Sequence, residues 1–188
     1  MDGAAVFGTL TWTVTPRPIA WVTSRSPLAG NNLAPFSFFT VVSTDPAILM
    51  IAVEPNPDGS AKDTLVNIRA TGEFVVHIAP ARLAGAVAVT AEPYACDVDE
   101  ITEAGLNAIP GRRVAVPVLP GTIAAFECVL DRMLRPGRET LVFGRVVGVH
   151  IDDEVIDERG RFVPERLSPL ARIGTTFAEI ALLTHEPG

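Results

Sequence analysis

Short runs of β-branched and aromatic residues, many alternating with polar positions, follow one another along the chain and are separated by glycine and proline. Runs of this length between turn residues predict strands. Strands are expected near residues 19–24, 36–42, 48–53, 74–78, 123–130 and 141–151. Two stretches predict short helices, over residues 63–71 before Gly72 and over residues 82–90. The pattern favours an all-β barrel or sandwich with a few short helices.

Composition and charge narrow the classes of protein. The chain has 188 residues, of which 48% are hydrophobic and 20% charged, which predicts one folded domain over residues 1–188. Its formal charge of −7 would repel the backbone of a nucleic acid, which argues against that partner. Because no run of 18 apolar residues predicts a membrane span and residues 1–3 lack the basic start of a signal peptide, a cytoplasmic protein is expected.

Several motifs are absent from the sequence. There is no GxGxxG, no P-loop, no HExxH and no GxSxG, so Rossmann, P-loop, zincin and α/β-hydrolase chemistry have no support. His77, His150 and His185 are widely spaced, and Cys96 and Cys128 form no CxxC pair. We therefore predict no metal site and expect both cysteines to be free thiols that serve as packing residues. The acidic stretch 92–103 is expected to be a solvated connection.

The first candidate segment is TPRPIAWVTS, residues 15–24. The prolines on both sides of Arg17 restrict the backbone, so the Arg17 side chain extends in a defined direction from a rigid strand start. A guanidinium held in this way suits contact with an anion. A plain turn that carries a solvated arginine is the alternative.

The second candidate segment is NNLAPFSFF, residues 31–39. Pro35 cannot donate to a sheet ladder, and alternation places Ser37 on the same face as Phe39 and Val41. A hydroxyl on a buried face needs a partner, which the polar edge of a flat ring such as isoalloxazine could supply. The alternative is an edge strand whose phenylalanines pack in the core.

The third candidate segment begins the first predicted helix. Lys62, the only lysine of the chain, stands beside Asp63 and Thr64 at a helix start, where N–H groups and a positive partial charge attract phosphate. Asp63 is the expected N-cap. A capped helix with an incidental lysine is the alternative.

These segments occur in the order PRPIAWVTS, NNLAPFSFF followed by VVSTDPAIL, and KDTLVNIRATGEFVVHI. This order resembles the flavin reductase-like family, and the similarity continues beyond these segments to cover most of the chain. The resemblance implies the FMN-binding split barrel, an all-β Greek-key fold that is usually a homodimer with FMN close to the subunit interface. It also implies hydride transfer from NADH or NADPH to the flavin.

The resemblance also implies positions for the cofactor. Lys62 and Thr64, together with Arg17, would bind the phosphate, and backbone N–H groups between Pro35 and Phe38 would donate to the polar edge of the ring. Thr23, Ser24 and the stretch from Asn32 to Phe38 would line the ribityl chain and the ring. The expected cofactor-binding residues are Arg17, Thr23, Ser24, Asn32, Ala34, Pro35, Phe36, Ser37, Phe38, Lys62, Asp63 and Thr64.

His150 is the candidate catalytic residue. Alternation along residues 141–151 would place it on one face with Val142, Gly144, Val146 and Gly148, where two glycines admit a flat ligand. At the edge of that strip, it could protonate a reduced flavin. A packed strand with a satisfied histidine is the alternative.

Three places depart from the family pattern. Asp45-Pro46-Ala47 stands where DPP is usual, and His77 stands where asparagine is usual. Residues 172–180, RIGTTFAEI, lack one glycine, the arginine and the threonine of the usual C-terminal motif. This last departure concerns the substrate or nicotinamide side of the site more than the FMN side.

Three functions are compatible with the sequence. The leading hypothesis is an FMN reductase that uses NADH or NADPH and can supply a partner monooxygenase. The alternatives are a flavoredoxin-like electron-transfer or ferric-reductase flavoprotein with tightly bound FMN, and a non-catalytic FMN-binding module.

Overall fold

The computed structural model describes residues 2–27 and 30–183, so His185, the third histidine of the sequence, lies outside the described residues. The strands are β1 (Arg17–Pro18), β2 (Ala20–Ser26), β3 (Gly30–Phe36), β4 (Phe39–Thr44), β5 (Ala47–Val53), β6 (Glu73–Ile78), β7 (Ala124–Leu134), β8 (Thr140–Ile151), β9 (Leu170–Ile173) and β10 (Thr176–Glu179). The α-helices are α1 (Gly3–Thr13), α2 (Asp63–Thr71), α3 (Ala84–Val89) and α4 (Glu100–Glu103). None of the helices in these ranges is long and apolar enough to cross a membrane.

The larger sheet curls into a barrel. Its seven strands are antiparallel in the order β3-β2-β6-β7-β8-β5-β4, and its two end strands, β3 and β4, follow each other in the chain with only Ser37 and Phe38 between them. Since such a short link brings the two edges together, the sheet has to close on itself. A smaller antiparallel sheet, β1-β9-β10, lies beside it.

The strands and α2 together form the core inside the barrel. Inward residues of β2, β5 and β6, among them Phe74, pack with Leu65 and Ile68 of α2 and with Cys128 of β7. The alternating pattern of these strands puts one set of apolar side chains on the inner face. Cys128 is buried, which raises the pKa of its thiol to about 12, whereas Cys96 is exposed and is not the packing residue that was expected.

Most predicted elements are present, and one predicted strand is broken. Helix α2 covers residues 63–71 and ends at Gly72 as predicted. The strand predicted over residues 36–42 is interrupted, because the chain bends at Ser37 and Phe38 to pass from β3 to β4. The helix predicted over residues 82–90 is a 3-10 turn, Ala81–Leu83, followed by α3.

Helix α1 was not predicted. Its sequence is rich in glycine and threonine, which are weak helix formers, and so gives little local signal. The Asp2 side chain accepts a hydrogen bond from the Ala4 backbone N–H at 3.3 Å and caps the helix. That acid before an apolar run is the only sequence sign of α1.

A β-bulge in β8 overturns the predicted single face of that strand. Gly148 pairs with Glu127 and Val146 pairs with Cys128, so Val147 is an extra residue. The bulge reverses the alternation. Gly144 and Val146 therefore face the barrel core, whereas Gly148 lies against Glu127 on the outer face, beside His150.

His77 is a buried structural residue on β6. Its Nδ1–H donates to the Trp21 carbonyl at 2.9 Å, and its Nε2 accepts from the Leu119 backbone N–H at 3.0 Å. Burial lowers the pKa of His77 to about 4, against the opposing effect of the Trp21 hydrogen bond. The neutral ring therefore links β2, β6 and the loop before β7.

This histidine predicts a pH dependence of stability. In the unfolded chain His77 titrates near its ordinary pKa of 6.5, so between about pH 6.5 and pH 4 the unfolded state binds more protons and the free energy of unfolding falls as the pH falls. The loss attributable to His77 is on the order of 3 kcal/mol. Urea denaturation of the wild type and of His77→Asn from pH 4 to 8 measures it. A variant with the same pH slope as the wild type would contradict this role.

Candidate functional site

Two adjoining cavities form one cleft beside the barrel. The α2 cavity, of about 490 Å³, lies at the start of α2 and along β3. The arginine cavity, of about 280 Å³, lies between α1, β1, the bend after β3 and the turn between β9 and β10. Pro35, Phe36, Lys62 and Arg172 line both, so the two cavities adjoin.

The N-terminus of α2 is uncapped by any side chain. Lys62 occupies the N-cap position in extended conformation, and no side chain bonds to the first amides of the helix. The prediction that Asp63 is the N-cap is therefore wrong: the extended chain reaches one residue further, and Asp63 is already helical. The open amides carry positive partial charge and line the α2 cavity together with Lys62.

Hydrogen bonds hold this helix start in place. The Asn32 side-chain amide donates to the Thr64 hydroxyl oxygen at 3.0 Å, and both residues are buried. Lys62 Nζ donates to Asn56 Oδ1 at 3.2 Å, which directs the ammonium along the cleft. The predicted residues Asn32, Lys62 and Thr64 are thus brought together.

The acidic stretch is not merely a solvated connection. Asp99 caps α4 by accepting from the Ile101 and Thr102 amides, and the buried Glu100 carboxylate accepts from the Leu33 backbone N–H at 3.1 Å. Burial raises the pKa of Glu100, with smaller contributions from nearby carboxylates. The stretch therefore supports β3, and Glu92, Tyr94 and Glu100 line the α2 cavity.

Thr23 and Ser24 lie behind the cleft, and neither lines it. The Thr23 hydroxyl donates to the Pro117 carbonyl at 2.8 Å, and the Ser24 hydroxyl oxygen accepts from the Asn67 side chain at 3.2 Å. Both are fully buried. In this chain their hydroxyls join β2 to its neighbours.

Arg17 joins four segments at the arginine cavity. Its guanidinium donates to the carbonyls of Thr11 and, at 2.8 Å, Gly174, and its Nε lies 3.4 Å from Ser37 Oγ. Its Cζ is 5.7 Å from the centre of the Phe38 ring. Arg17 is therefore neither solvated nor in a plain turn, and it holds the bend at Ser37 and Phe38 against α1 and the C-terminal hairpin.

His150 lies outside the cleft. Its Nε2 is 2.7 Å from Glu127 Oε1, and it lines a separate pocket near the end of β8. Burial would raise the pKa of Glu127, but hydrogen bonds from Arg113, His150 and Val114 outweigh it and lower that pKa. Within this chain the structure does not bring His150 to the expected cofactor-binding residues.

The cleft also contains residues that sequence reasoning did not assign to it. Arg172 of β9 donates to the Thr175 carbonyl at 3.1 Å and lies over the Phe177 ring at 4.4 Å. Phe7 of α1 lines the arginine cavity. Arg172 is the first residue of the segment that departs from the family motif, and that departure was the one sequence sign that could have pointed to it. No sequence sign pointed to Phe7, because α1 was not predicted.

Comparison with known proteins gives consistent matches. The profile of the flavin reductase like domain matches residues 12–178. The uncharacterized protein YwrF of Bacillus subtilis is 37% identical, over 91% of this chain and 87% of its own. The crystal structure of nitrilotriacetate monooxygenase component B from Bacillus cereus is 30% identical, with a TM-score of 0.91 over 99% of this chain and 95% of its own.

The packing around Gly174, in the wall of the arginine cavity, predicts that replacing it by alanine lowers the free energy of unfolding more than the same change at Gly160. Gly174 has φ +55°, and a Cβ there would overlap the Trp12 ring, whereas Gly160 has φ +73° with open space around it. Gly160→Ala should cost about 1 kcal/mol, from the left-handed backbone alone. Gly174→Ala should cost about 1 to 3 kcal/mol more, because α1 has to move.

Urea denaturation of the two variants measures this difference. Gly160→Ala is the matched control for the backbone conformation. Equal losses in the two variants would show that the packing of Trp12 on the hairpin contributes nothing to stability.

Proposed function

The chain belongs to the flavin reductase-like family, and on that premise we propose that it is an FMN-dependent oxidoreductase that takes hydride from NADH or NADPH. Its fold is the split barrel of flavin reductases, so the fold class and the family predicted from the sequence are confirmed. Family membership supports flavin chemistry in general. The choice of FMN, the nicotinamide and the residues that hold them are our proposal.

The observation that carries the proposal is the uncapped start of α2. Its first amides and the Lys62 ammonium line one cavity, and within the described residues Lys62 makes no ion pair. A phosphate would satisfy the amides and neutralise the ammonium in a single contact. Thr64, held by Asn32, fixes the first turn of the helix at that place.

The remaining predicted residues fit the flat part of the cofactor. Pro35 and Phe36 line both cavities, and Ser37 and Phe38 follow in a bend that lies outside the sheet ladder. The bend presents backbone amides and one hydroxyl between aromatic walls, which suits a ring with a polar edge. The bound flavin would accept hydride at N5. The residues of the cleft would orient it.

The proposal extends to partners. The similarity to a monooxygenase component supports a role in supplying reduced flavin to a monooxygenase. We also propose a homodimer, because Phe7, Leu10 and Trp12 of α1, and Val41 and Val42 of β4, are apolar residues that are each about half exposed or more. Light scattering tests it, and a stable FMN-bound monomer would contradict it. The cytoplasmic location stays a prediction.

Anaerobic reduction tests the activity. Protein loaded with FMN should lose the visible absorbance of oxidised flavin when NADH or NADPH is added, faster than free FMN does with the same nicotinamide. Gel filtration of the product then separates an exchanging flavin from a tightly bound one. If neither nicotinamide reduces the flavin faster than in the protein-free control, the chain is a binding module or takes electrons elsewhere.

Lys62→Met tests the phosphate assignment. Loss of a charged hydrogen bond should raise the dissociation constant for FMN about ten- to a hundredfold and leave that for riboflavin unchanged. Added salt should weaken FMN binding more in the wild type than in the variant. Quenching of flavin fluorescence measures both.

Arg69→Met is the matched control. Arg69 is the exposed cation at the other end of α2, so its removal changes the net charge equally without touching the cleft. An FMN affinity that is the same in Lys62→Met as in Arg69→Met would move the phosphate away from α2.

A further inference from the structure

A buried carboxylate lines the cavity to which we assign the phosphate. Glu100 of α4 has 8% of its surface exposed and is one of the lining residues of the α2 cavity. Its Oε2 accepts from the Leu33 backbone N–H at 3.1 Å, and within the described residues Glu100 makes no ion pair. The carboxylate is therefore held in the wall of the cavity by uncharged groups.

Strand β3 keeps Glu100 close to the start of α2. Leu33 donates to Glu100, and the preceding residue, Asn32, donates to the Thr64 hydroxyl in the first turn of α2. Consecutive residues of a strand are only about 3.3 Å apart. Burial raises the pKa of Glu100, hydrogen bonds from its own amide and from Leu33 oppose this, and the charges of Asp63 and Asp99 raise it further. The carboxylate thus lies within electrostatic reach of the open helix end.

The other charged and titratable groups around Glu100 are mixed in sign. Helix α4 itself adds Asp99 and Glu103, and β3, which packs against α4, carries no charged side chain. The α2 cavity adds the cations Lys62 and Arg172, the carboxylates of Asp58, Asp63 and Glu92, and the phenol of Tyr94. Among the carboxylates of the cavity Glu100 alone is buried, so its charge is the least screened by solvent.

A phosphate in this cavity would act on Glu100 directly. A like charge nearby disfavours the ionised form of a carboxyl group, so a bound phosphate raises the pKa of Glu100 above its value in the empty site. The coupling is reciprocal, because whatever factor the phosphate adds to proton binding, the proton adds to phosphate binding. A neutral carboxyl group still has an oxygen that accepts the Leu33 amide, so β3 can stay in place.

We propose that Glu100 takes up a proton when the phosphate of the flavin enters the α2 cavity, so that the site binds phosphate and proton together. The inference rests on the proposed function, since it deepens the assignment of the phosphate to the start of α2. Binding of FMN should therefore become tighter as the pH falls, whereas riboflavin, which has no phosphate, should show no such dependence.

Calorimetry at pH 7 in two buffers of different ionisation enthalpy counts the protons taken up with FMN. The wild type should take up more than Glu100→Gln, by up to about one proton per site. Glu103→Gln is the matched control, because it removes the same charge from an exposed position of the same helix outside the cavity. This control should match the wild type, and riboflavin should bring no proton to any of the three proteins.

The affinity gives a second readout, measured by quenching of flavin fluorescence between pH 6.5 and 8. The dissociation constant of the wild type for FMN should rise with pH more steeply than that of Glu100→Gln. At pH 8 the variant should bind FMN about tenfold or more tightly than the wild type does. The phosphate of FMN itself titrates near pH 6, and this effect cancels in the comparison because all three proteins share it.

Three results would overturn the proposal: equal proton uptake by the wild type and Glu100→Gln, an equal reduction in Glu103→Gln, and equal uptake with riboflavin and FMN. If Glu100→Gln does not fold, carbon-13 spectra of the glutamate carboxyl groups of the wild type replace it, and a Glu100 midpoint that FMN leaves unchanged contradicts the proposal. If FMN itself does not bind, the proposed function fails. The same spectra with sulfate, a divalent anion that does not titrate in this range, then decide whether an anion raises the Glu100 midpoint.

Discussion

The start of α2 is the constraint on which the site depends. Helices commonly cover their first amides with a side chain from the N-cap residue, but here the N-cap is Lys62, whose ammonium donates to Asn56 in the same cavity and leaves the amides uncovered. The amides stay open to the cleft. Because Asn32 fixes Thr64 from β3 and the inner face of α2 packs in the barrel core, this open end cannot retreat from the cavity. The fold therefore holds a positive helix end at one place.

The closure of the barrel creates the other half of the cleft. The chain has to pass from β3 to β4 in two residues, and that passage takes Ser37 and Phe38 out of the ladder. Arg17 then secures the bend against α1 and the hairpin of β9 and β10. Holding a buried cation for this purpose is unfavourable on its own, and an anionic ligand would offset that cost.

The sequence correctly predicted those features of the fold and the family that depend on local pattern and on the order of motifs. The barrel strands and α2 with its end at Gly72 follow from periodicity and turn residues, and the order of three motifs identified the family. The misses arise where tertiary structure overrides pattern. A bulge at Val147 moves His150 to the outer face, and α1 forms from a sequence with weak helix propensity because Trp12 packs on Gly174.

Some motif residues line the cleft and others lie behind it, and which of the two applies depends on packing that no sequence pattern reveals. Lys62, Asn32 and the stretch from Pro35 to Phe38 line the cleft. Thr23 and Ser24 belong to the first motif, residues 15–24, but their hydroxyls form hydrogen bonds with Pro117 and Asn67 behind the cleft. Spacing along β2 cannot tell a wall of the cleft from the layer behind it, because the neighbours that decide come from distant parts of the chain.

The most direct test of the central claim is the amide spectrum of the start of α2. Nitrogen-15 NMR spectra of the protein titrated with FMN and with riboflavin report whether the Asp63 and Thr64 amides donate to the phosphate. The account predicts that FMN shifts both amide protons downfield, as a charged hydrogen bond does, and that riboflavin leaves them nearly unchanged. Equal shifts with the two flavins, or none with FMN, would contradict it.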